Sequence, residues 1–155
     1  MGFQIHNRLY TTQNVSINYI SMLSNINFNM EYDELIHDIF QLECKLFMKM
    51  DSYRLIKQKC GEKCLTQDEK QLLNSEIHYV FERLIKTITE YCPSLTDNDV
   101  IFCCLTKSGL DNTSIYHSMG DVSKQPINQR KYRIKKKMKE ANCNFLFELM
   151  FLPVF

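Results

Sequence analysis

One stretch, Leu95–Lys139, most limits what this chain can fold into, because capping and turn residues divide it into short helices. Thr96 is a good N-cap, and Asp99 three residues later completes an approximate capping box. Apolar residues then recur at helical spacing until Gly109 supplies a stop. The pattern predicts a first helix that begins at Thr96 and ends near Gly109.

Two further helices are predicted in the same stretch. Asn112 is expected to cap a short helix, and Gly120 permits a tight turn after it. Ser123 is expected to cap a third helix, which tolerates Pro126 in its first turn. The apolar stripe of that helix consists of Ile127, Ile134 and Met138. The sequence thus predicts three helices separated by two turns, with the third attached along one narrow side.

The third predicted helix carries concentrated positive charge, although the net charge of the whole chain is only +1. Lys and Arg on its free faces would neutralise phosphates and release counterions, and a helix fits the DNA major groove, which is about 12 Å wide. The side chains expected to contact phosphates are Lys124, Arg130, Lys131, Arg133, Lys135, Lys136 and Lys137. The side chains expected to read base edges are Gln125, Asn128, Gln129 and Tyr132. A basic run can also be a merely solvated helix face, and the turns before it are what favour DNA binding.

Several positions of this stretch coincide with those of a known motif. They are Leu95-Thr96, Gly109-Leu110, Asn112, Ile115, Val122-Ser123, Ile127, Arg133-Ile134 and Lys137-Met138. Over residues 92–140 the chain resembles the C-terminal DNA-binding module of a bacterial subgroup of LuxR-type transcriptional regulators. The resemblance implies a helix-turn-helix whose recognition helix, at about 124–139, enters the major groove of DNA. Two departures, Thr113-Ser114 for the usual Lys-Glu pair and Pro126 for the usual Thr or Ser, weaken any transfer of base-level specificity.

The residues before this stretch predict two long helices. Apolar spacing predicts one over Glu31–Lys59, and Thr66 with Glu69 opens another that Pro93 ends. The second would connect the N-terminal part to the DNA-binding module. A heptad-like subset of the first helix consists of Leu35, Ile39, Leu42, Leu46, Tyr53 and Ile56. This subset suits either a partner helix or ordinary packing within one subunit. Residues 1–30 fit a strand near 15–19 or a short helix near 16–24.

A very apolar segment, Phe145–Leu152, follows the predicted recognition helix. Such a surface has to be covered by the upstream helices or by a second subunit. In the LuxR-type family a fourth helix at this place often forms the dimer contact. The residues expected at a dimer interface are Phe145, Leu146, Leu149 and Met150.

Other motifs argue against cofactors, catalysis and membranes. Seven cysteines without a signal-peptide pattern predict a cytoplasmic location with free, mostly buried thiols. Cys60 and Cys64 lack a second pair at ligand spacing, so neither a metal nor another cofactor is expected. The sequence has no Gly-rich phosphate loop, serine elbow or paired-histidine metal motif, and we therefore do not expect an enzyme. No apolar run reaches the roughly 18 residues of a membrane span.

These patterns predict an all-α protein with three parts. Residues 1–60 would form a helical dimerisation or sensing region, residues 61–92 a connecting helix, and residues 93–155 the LuxR-like module. The expected function is that of a homodimeric transcriptional regulator that binds specific sequences of double-stranded DNA. An effector or a partner protein, which the sequence does not identify, could act on it. Two alternatives stay open: a protein-interaction module that has lost specific DNA readout, and a fragment of a larger sensor-regulator.

Overall fold

The computed structural model describes residues 29–59, 63–120 and 125–151, and all regular structure within these ranges is helical. The predicted all-α class is therefore confirmed. The helices are α1 Asn29–Phe47, α2 Asp51–Lys59, α3 Gln67–Val80, α4 Glu82–Tyr91, α5 Asp97–Lys107, α6 Asn112–Ser118, α7 Gln125–Glu140 and α8 Asn144–Phe151. The strand or helix predicted near residues 15–24 lies outside the described residues.

The chain divides into two units, Met1–Asp38 and Ile39–Phe155. The described part of the first unit is the beginning of α1. The predicted boundaries after residues 60 and 92 stay predictions.

Helix α5 is the centre of the second unit. Seven of its eleven residues are buried, and it contacts α3, α4, α6 and α8. Cys103 and Cys104 have no exposed surface and serve as core residues, which agrees with the prediction of mostly buried thiols. Because α5 touches so many neighbours, a residue that joins it to another helix also fixes that helix relative to the core.

The predicted helix over Glu31–Lys59 is wrong as a single element, because it ends at Phe47 and restarts at Asp51. The restart has a tertiary cause. The Glu76 carboxylate on α3 accepts a hydrogen bond from the Ser52 N–H at 2.8 Å. This supplies a partner for one of the N–H groups that a new helix leaves without an intrahelical bond. The apolar period continues through the break, so the local sequence does not reveal it.

The helix predicted to open at Thr66 and to end at Pro93 also breaks, at Phe81. The Glu43 carboxylate on α1 accepts hydrogen bonds from the N–H groups of Arg83 at 2.9 Å and Leu84 at 3.1 Å. Burial raises the pKa of Glu43, and these two N–H groups offset part of that rise. A carboxylate from another helix therefore acts as the N-terminal cap of α4.

The capping signals read from the sequence are confirmed, with one correction. Both capping boxes, Thr66 with Glu69 and Thr96 with Asp99, are present. Asn112 does not cap α6: its neighbour Asp111 has the extended backbone of a cap, and the Asp111 carboxylate accepts a hydrogen bond from the Ser114 N–H at 2.7 Å. Asn112 is instead the first helical residue.

The two turns that flank α6 require glycine. Gly109 and Gly120 have φ angles of +82° and +86°, in the left-handed region that other residues rarely adopt. Both therefore fix where a helix ends, as the sequence predicted. The predicted cap Ser123 lies outside the described residues.

Candidate nucleic-acid interface

Helix α7 is anchored to the protein along one side. Ile127, Ile134 and Met138 are at most 2% exposed, which confirms the predicted stripe. Pro126 lies in the first turn, where its missing N–H costs nothing. The remaining residues of the helix form an outer face and two flanks, which differ in what their side chains contact.

The outer face of α7 carries the side chains predicted to read bases. Gln125, Asn128, Gln129 and Tyr132 are all exposed, Tyr132 to 71%. Their spacing places them on one side of the helix, and exposed Lys136 and Lys139 continue that side toward the C-terminus. We call these six residues the outer face. Amide side chains with paired donors and acceptors lie at its N-terminal end, and two lysines lie at the other.

One flank of α7 is joined to α5 through a buried carboxylate. Asp99 has no exposed surface, and its Oδ1 accepts hydrogen bonds from Arg130 Nη1 at 3.0 Å and from Arg133 Nη2. Lys137 Nζ lies 3.8 Å from Asp99 Oδ2 and donates to the Ser94 carbonyl at 2.9 Å. Residues 130, 133 and 137 recur one and two turns apart, so all three approach the same carboxylate.

Asp99 is charged in this environment. Burial by itself raises the pKa of Asp99, but the Thr96 N–H and the Arg133 guanidinium stabilise the carboxylate more strongly, so its pKa lies below the ordinary value. The same residue thus completes the capping box of α5 and binds α7. Arg130 Nε is buried without a hydrogen-bond partner, so this guanidinium is fixed although not fully satisfied.

The other flank of α7 faces α8. Lys131 Nζ lies 4.9 Å from the centroid of the Phe151 ring, and Lys135 Nζ lies 5.5 Å from that of Phe147. A cation at this distance is attracted to the ring face. Both lysines are exposed, yet their ammonium groups extend along α8 and away from the outer face.

The side chains predicted to contact phosphate therefore differ in how available they are to a ligand. Arg130 and Lys137 bind inside the chain, with side chains 18% and 26% exposed, whereas Arg133 keeps 45%. Lys136 stands on the outer face, and Lys124 lies outside the described residues. The sequence could not show this division, because the partner of both arginines is more than 30 residues away.

The residues predicted at a dimer interface lie on α8, which packs against α5 and α7 of its own chain. Leu146 and Met150 have no exposed surface within the single chain, and their place at a dimer interface stays a prediction. Phe145 packs edge-on against Tyr91, with ring centroids 5.4 Å apart, and Leu149 is half-buried. The upstream helices therefore cover most of this apolar segment.

An open groove of about 290 Å³ lies on the surface of the second unit. Helices α3 and α5 and the end of α6 line it, with several amide side chains, the ammonium of Lys70 and apolar Met119. Lys70 also lies close to Gly120, because a Cβ added to this glycine would be 3.0 Å from Lys70 Nζ. The groove has room for a small polar molecule.

The described residues show neither a cluster of metal ligands nor a membrane-spanning helix. Among the described side chains, no three His, Cys, Asp or Glu residues gather as a metal site would require. Cys60 lies outside the described residues. Within them, Cys44, Cys92, Cys103, Cys104 and Cys143 are buried free thiols, and Cys64 is half-buried. Within the same ranges no helix is both long and apolar enough to cross a bilayer.

Comparison of the chain with models of known protein families, with curated proteins and with solved structures found no match.

Proposed function

We propose that the chain is a LuxR-like, helix-turn-helix transcriptional regulator that binds specific double-stranded DNA as a homodimer, with α7 as its recognition helix. The supporting observation is that three sides of α7 contact the chain and one side is free. Three sides of the helix are attached to the chain by the apolar stripe, the Asp99 contacts and the aromatic rings of α8. The outer face is left for a ligand, and it combines amide side chains with lysines.

The order of side chains on the outer face matches what a recognition helix requires. Docked helix-turn-helix proteins contact base edges with the N-terminal part of the recognition helix. Gln125, Asn128 and Gln129 lie there, and Asn and Gln can bond two atoms of adenine at once. Lys136 lies two to three turns further on, where flanking cations bind phosphate. Arg133, whose side chain is 45% exposed, can add a phosphate contact.

A second function, that of a protein-interaction module, draws support from another observation. Five of the seven side chains predicted to bind phosphate contact groups of their own chain: Arg130, Lys131, Arg133, Lys135 and Lys137. The free positive charge is therefore smaller than the sequence suggests. A surface of exposed amides and Tyr132 also suits a protein partner. A fragment of a larger sensor-regulator is compatible with either function.

Selection of bound duplexes from random DNA, followed by binding measurements at several salt concentrations, tests the proposal. A DNA-binding chain should enrich a short motif with a preferred pair of half-sites, and log affinity should fall linearly with log salt concentration. The absence of enrichment, together with weak binding that is equal for all duplexes, would favour the protein-interaction module.

A further inference from the structure

Helix α1 carries two apolar faces in the second unit. Phe40, Cys44 and Phe47 are at most 1% exposed and belong to the core, whereas Leu42 and Leu46 are 65% and 47% exposed. These two leucines lie one turn apart on a side of the helix that no described core residue shares. Such side chains remain in water unless another surface covers them.

Exposed apolar side chains are concentrated on this helix. The described residues that are large, hydrophobic and exposed are Leu35, Leu42, Leu46, Leu72, Tyr79 and Tyr132. Three of the six belong to α1, and in the sequence Leu35, Ile39, Leu42 and Leu46 follow at intervals of four, three and four. This is the a/d spacing of a two-helix seam. We name these four residues the α1 stripe.

We propose that the α1 stripe docks against the α1 stripe of a second copy of this chain, with the two helices antiparallel. The inference deepens the proposed function and rests on its homodimer. It does not depend on DNA binding. It replaces Leu146 and Met150, which are covered within the subunit, as the main apolar contact.

The charges beside the stripe select both the partner and the orientation. Asp38 precedes Ile39 and Lys45 precedes Leu46, so both occupy the g position of the heptad, seven residues apart. In an antiparallel pair g positions face each other, and Asp38 of each subunit meets the partner's Lys45. A two-fold axis repeats this pair, which makes the surface complementary to itself.

A parallel arrangement would bring like charges together. The g position would then face the partner's e position, and Asp38 would meet the partner's Glu43. Glu43 is already committed, because its carboxylate accepts the N–H groups of Arg83 and Leu84 at the start of α4. The antiparallel arrangement avoids this repulsion and leaves the α4 cap intact.

The contact between two α1 stripes is small. Three turns of one helix cover less than the roughly 800 Å² per partner of a standard interface. We therefore expect a dimer with a dissociation constant in the micromolar range, which a single substitution can disrupt.

Sedimentation equilibrium of the full chain without DNA, from about 2 to 200 μM, tests this. The wild type should pass from monomer to dimer, and Leu42→Lys should remain monomeric across the range. Leu72→Lys, at an exposed leucine on α3 outside the stripe, is the matched control and should dimerise like the wild type. A wild type that is monomeric throughout, or a Leu42→Lys chain that dimerises as well as the control, overturns the inference.

Charge reversal tests the orientation with exposed positions that do not threaten the fold. Asp38→Lys should weaken the dimer by about two- to tenfold, as expected for two exposed ion pairs, and adding Lys45→Asp should restore it. A parallel dimer would instead become tighter with Asp38→Lys, because the new lysine would face the partner's Glu43, and that result contradicts the proposal. A chain that selects specific DNA but never dimerises overturns this inference alone, whereas a dimer without DNA binding overturns only the DNA-binding function.

Discussion

The fully buried Asp99 carboxylate accepts a hydrogen bond from Arg130 Nη1 at 3.0 Å, and this contact joins the central helix α5 to α7. Arg133 reaches the same oxygen from the next turn. Part of the positive charge of α7 therefore has a structural task, because it neutralises an acid that the core would otherwise hold alone. The contact also fixes the orientation of α7, and with it the direction in which the outer face points.

Replacement of Asp99 by Ala should lower the free energy of unfolding by about 3–5 kcal/mol, the usual result of removing one partner from a buried ion pair. The variant loses the α5 capping box and leaves the largely buried Arg130 without its counter-charge. Urea unfolding followed by circular dichroism measures the change. Asp97→Ala, at an exposed acid in the first turn of the same helix, should cost well under half as much. Equal losses in the two variants would show that the Asp99 contacts add little stability.

The acid dependence of stability provides a second measurement on the same residue. Because the pKa of Asp99 is lowered by folding, the folded state holds this group ionised at pH values where the unfolded chain begins to bind a proton. Its contribution is present above the ordinary value of 3.8 and is lost as the pH falls toward the folded pKa. Between pH 5 and pH 2.5, in unfolding measurements with urea, Asp99→Asn should therefore show a flatter loss of stability than the wild type. Parallel curves would contradict this.

Features of the fold that depend on neighbouring residues could be predicted from the sequence, whereas features that depend on distant residues could not. The capping boxes and the stripe of Ile127, Ile134 and Met138 could be predicted, since each depends on residues within a few turns of one another. The breaks at residues 48–50 and at Phe81 could not, because side chains from other helices stabilise them. Glu43 caps α4 from 40 residues away, and the apolar period before and after Phe81 is that of one continuous helix.

At the candidate interface, too, the contacts with residues distant in the sequence could not be predicted. The sequence shows which residues of α7 are basic. Its helical period also places the four base-reading candidates away from the apolar stripe, and all four are exposed. It does not show that Arg130 and Arg133 turn toward Asp99, or that Lys131 and Lys135 lie over the rings of α8. Those partners lie on helices whose packing no local pattern reveals. The predicted set of phosphate contacts was therefore larger than the set of free cations.

A buried lysine gives a prediction at alkaline pH. Lys107 has no exposed surface, and its Nζ donates to the Leu149 carbonyl in the last turn of α8 at 2.8 Å. Burial lowers the pKa of Lys107, so in the folded state it releases its proton below the ordinary value of 10.5. The unfolded chain then binds more protons between the two values, and stability should rise with pH in that interval.

Lys107→Met removes this dependence. As the pH is raised from 7 toward 10.5, the wild type should gain stability relative to the variant in urea unfolding. Lys86→Met, at an exposed lysine of α4, controls for the loss of one lysine charge. If the two variants have the same pH profile relative to the wild type, burial of Lys107 has no measurable effect on its proton binding.

The free cations of α7 should dominate the salt dependence of DNA binding. Lys136→Ala and Lys139→Ala, both on the outer face, should each reduce the slope of log affinity against log salt concentration by about 0.9 if each binds one phosphate. Lys131→Ala should change it less, because its ammonium lies over the Phe151 ring. Fluorescence anisotropy with a labelled duplex at five or more salt concentrations gives the slopes. The proposed assignment fails if Lys131 has a larger effect than Lys136 and Lys139.

Asn128 provides the sharpest test of sequence readout. It is exposed in the first turns of α7, directly after the anchoring residue Ile127, and its amide can pair with two atoms of one base. Loss of a good bidentate contact costs about 1–3 kcal/mol at its own base pair and little elsewhere. Asn128→Ala should therefore weaken binding to the selected duplex by about 5- to 150-fold and leave binding to random DNA nearly unchanged. Lys136→Ala is the matched control, because loss of a phosphate contact should weaken binding to both duplexes alike. Competition measurements with the two duplexes at one salt concentration separate these patterns. An equal loss on both duplexes for Asn128→Ala would assign this side chain to the DNA backbone and move base readout to its neighbours on the outer face.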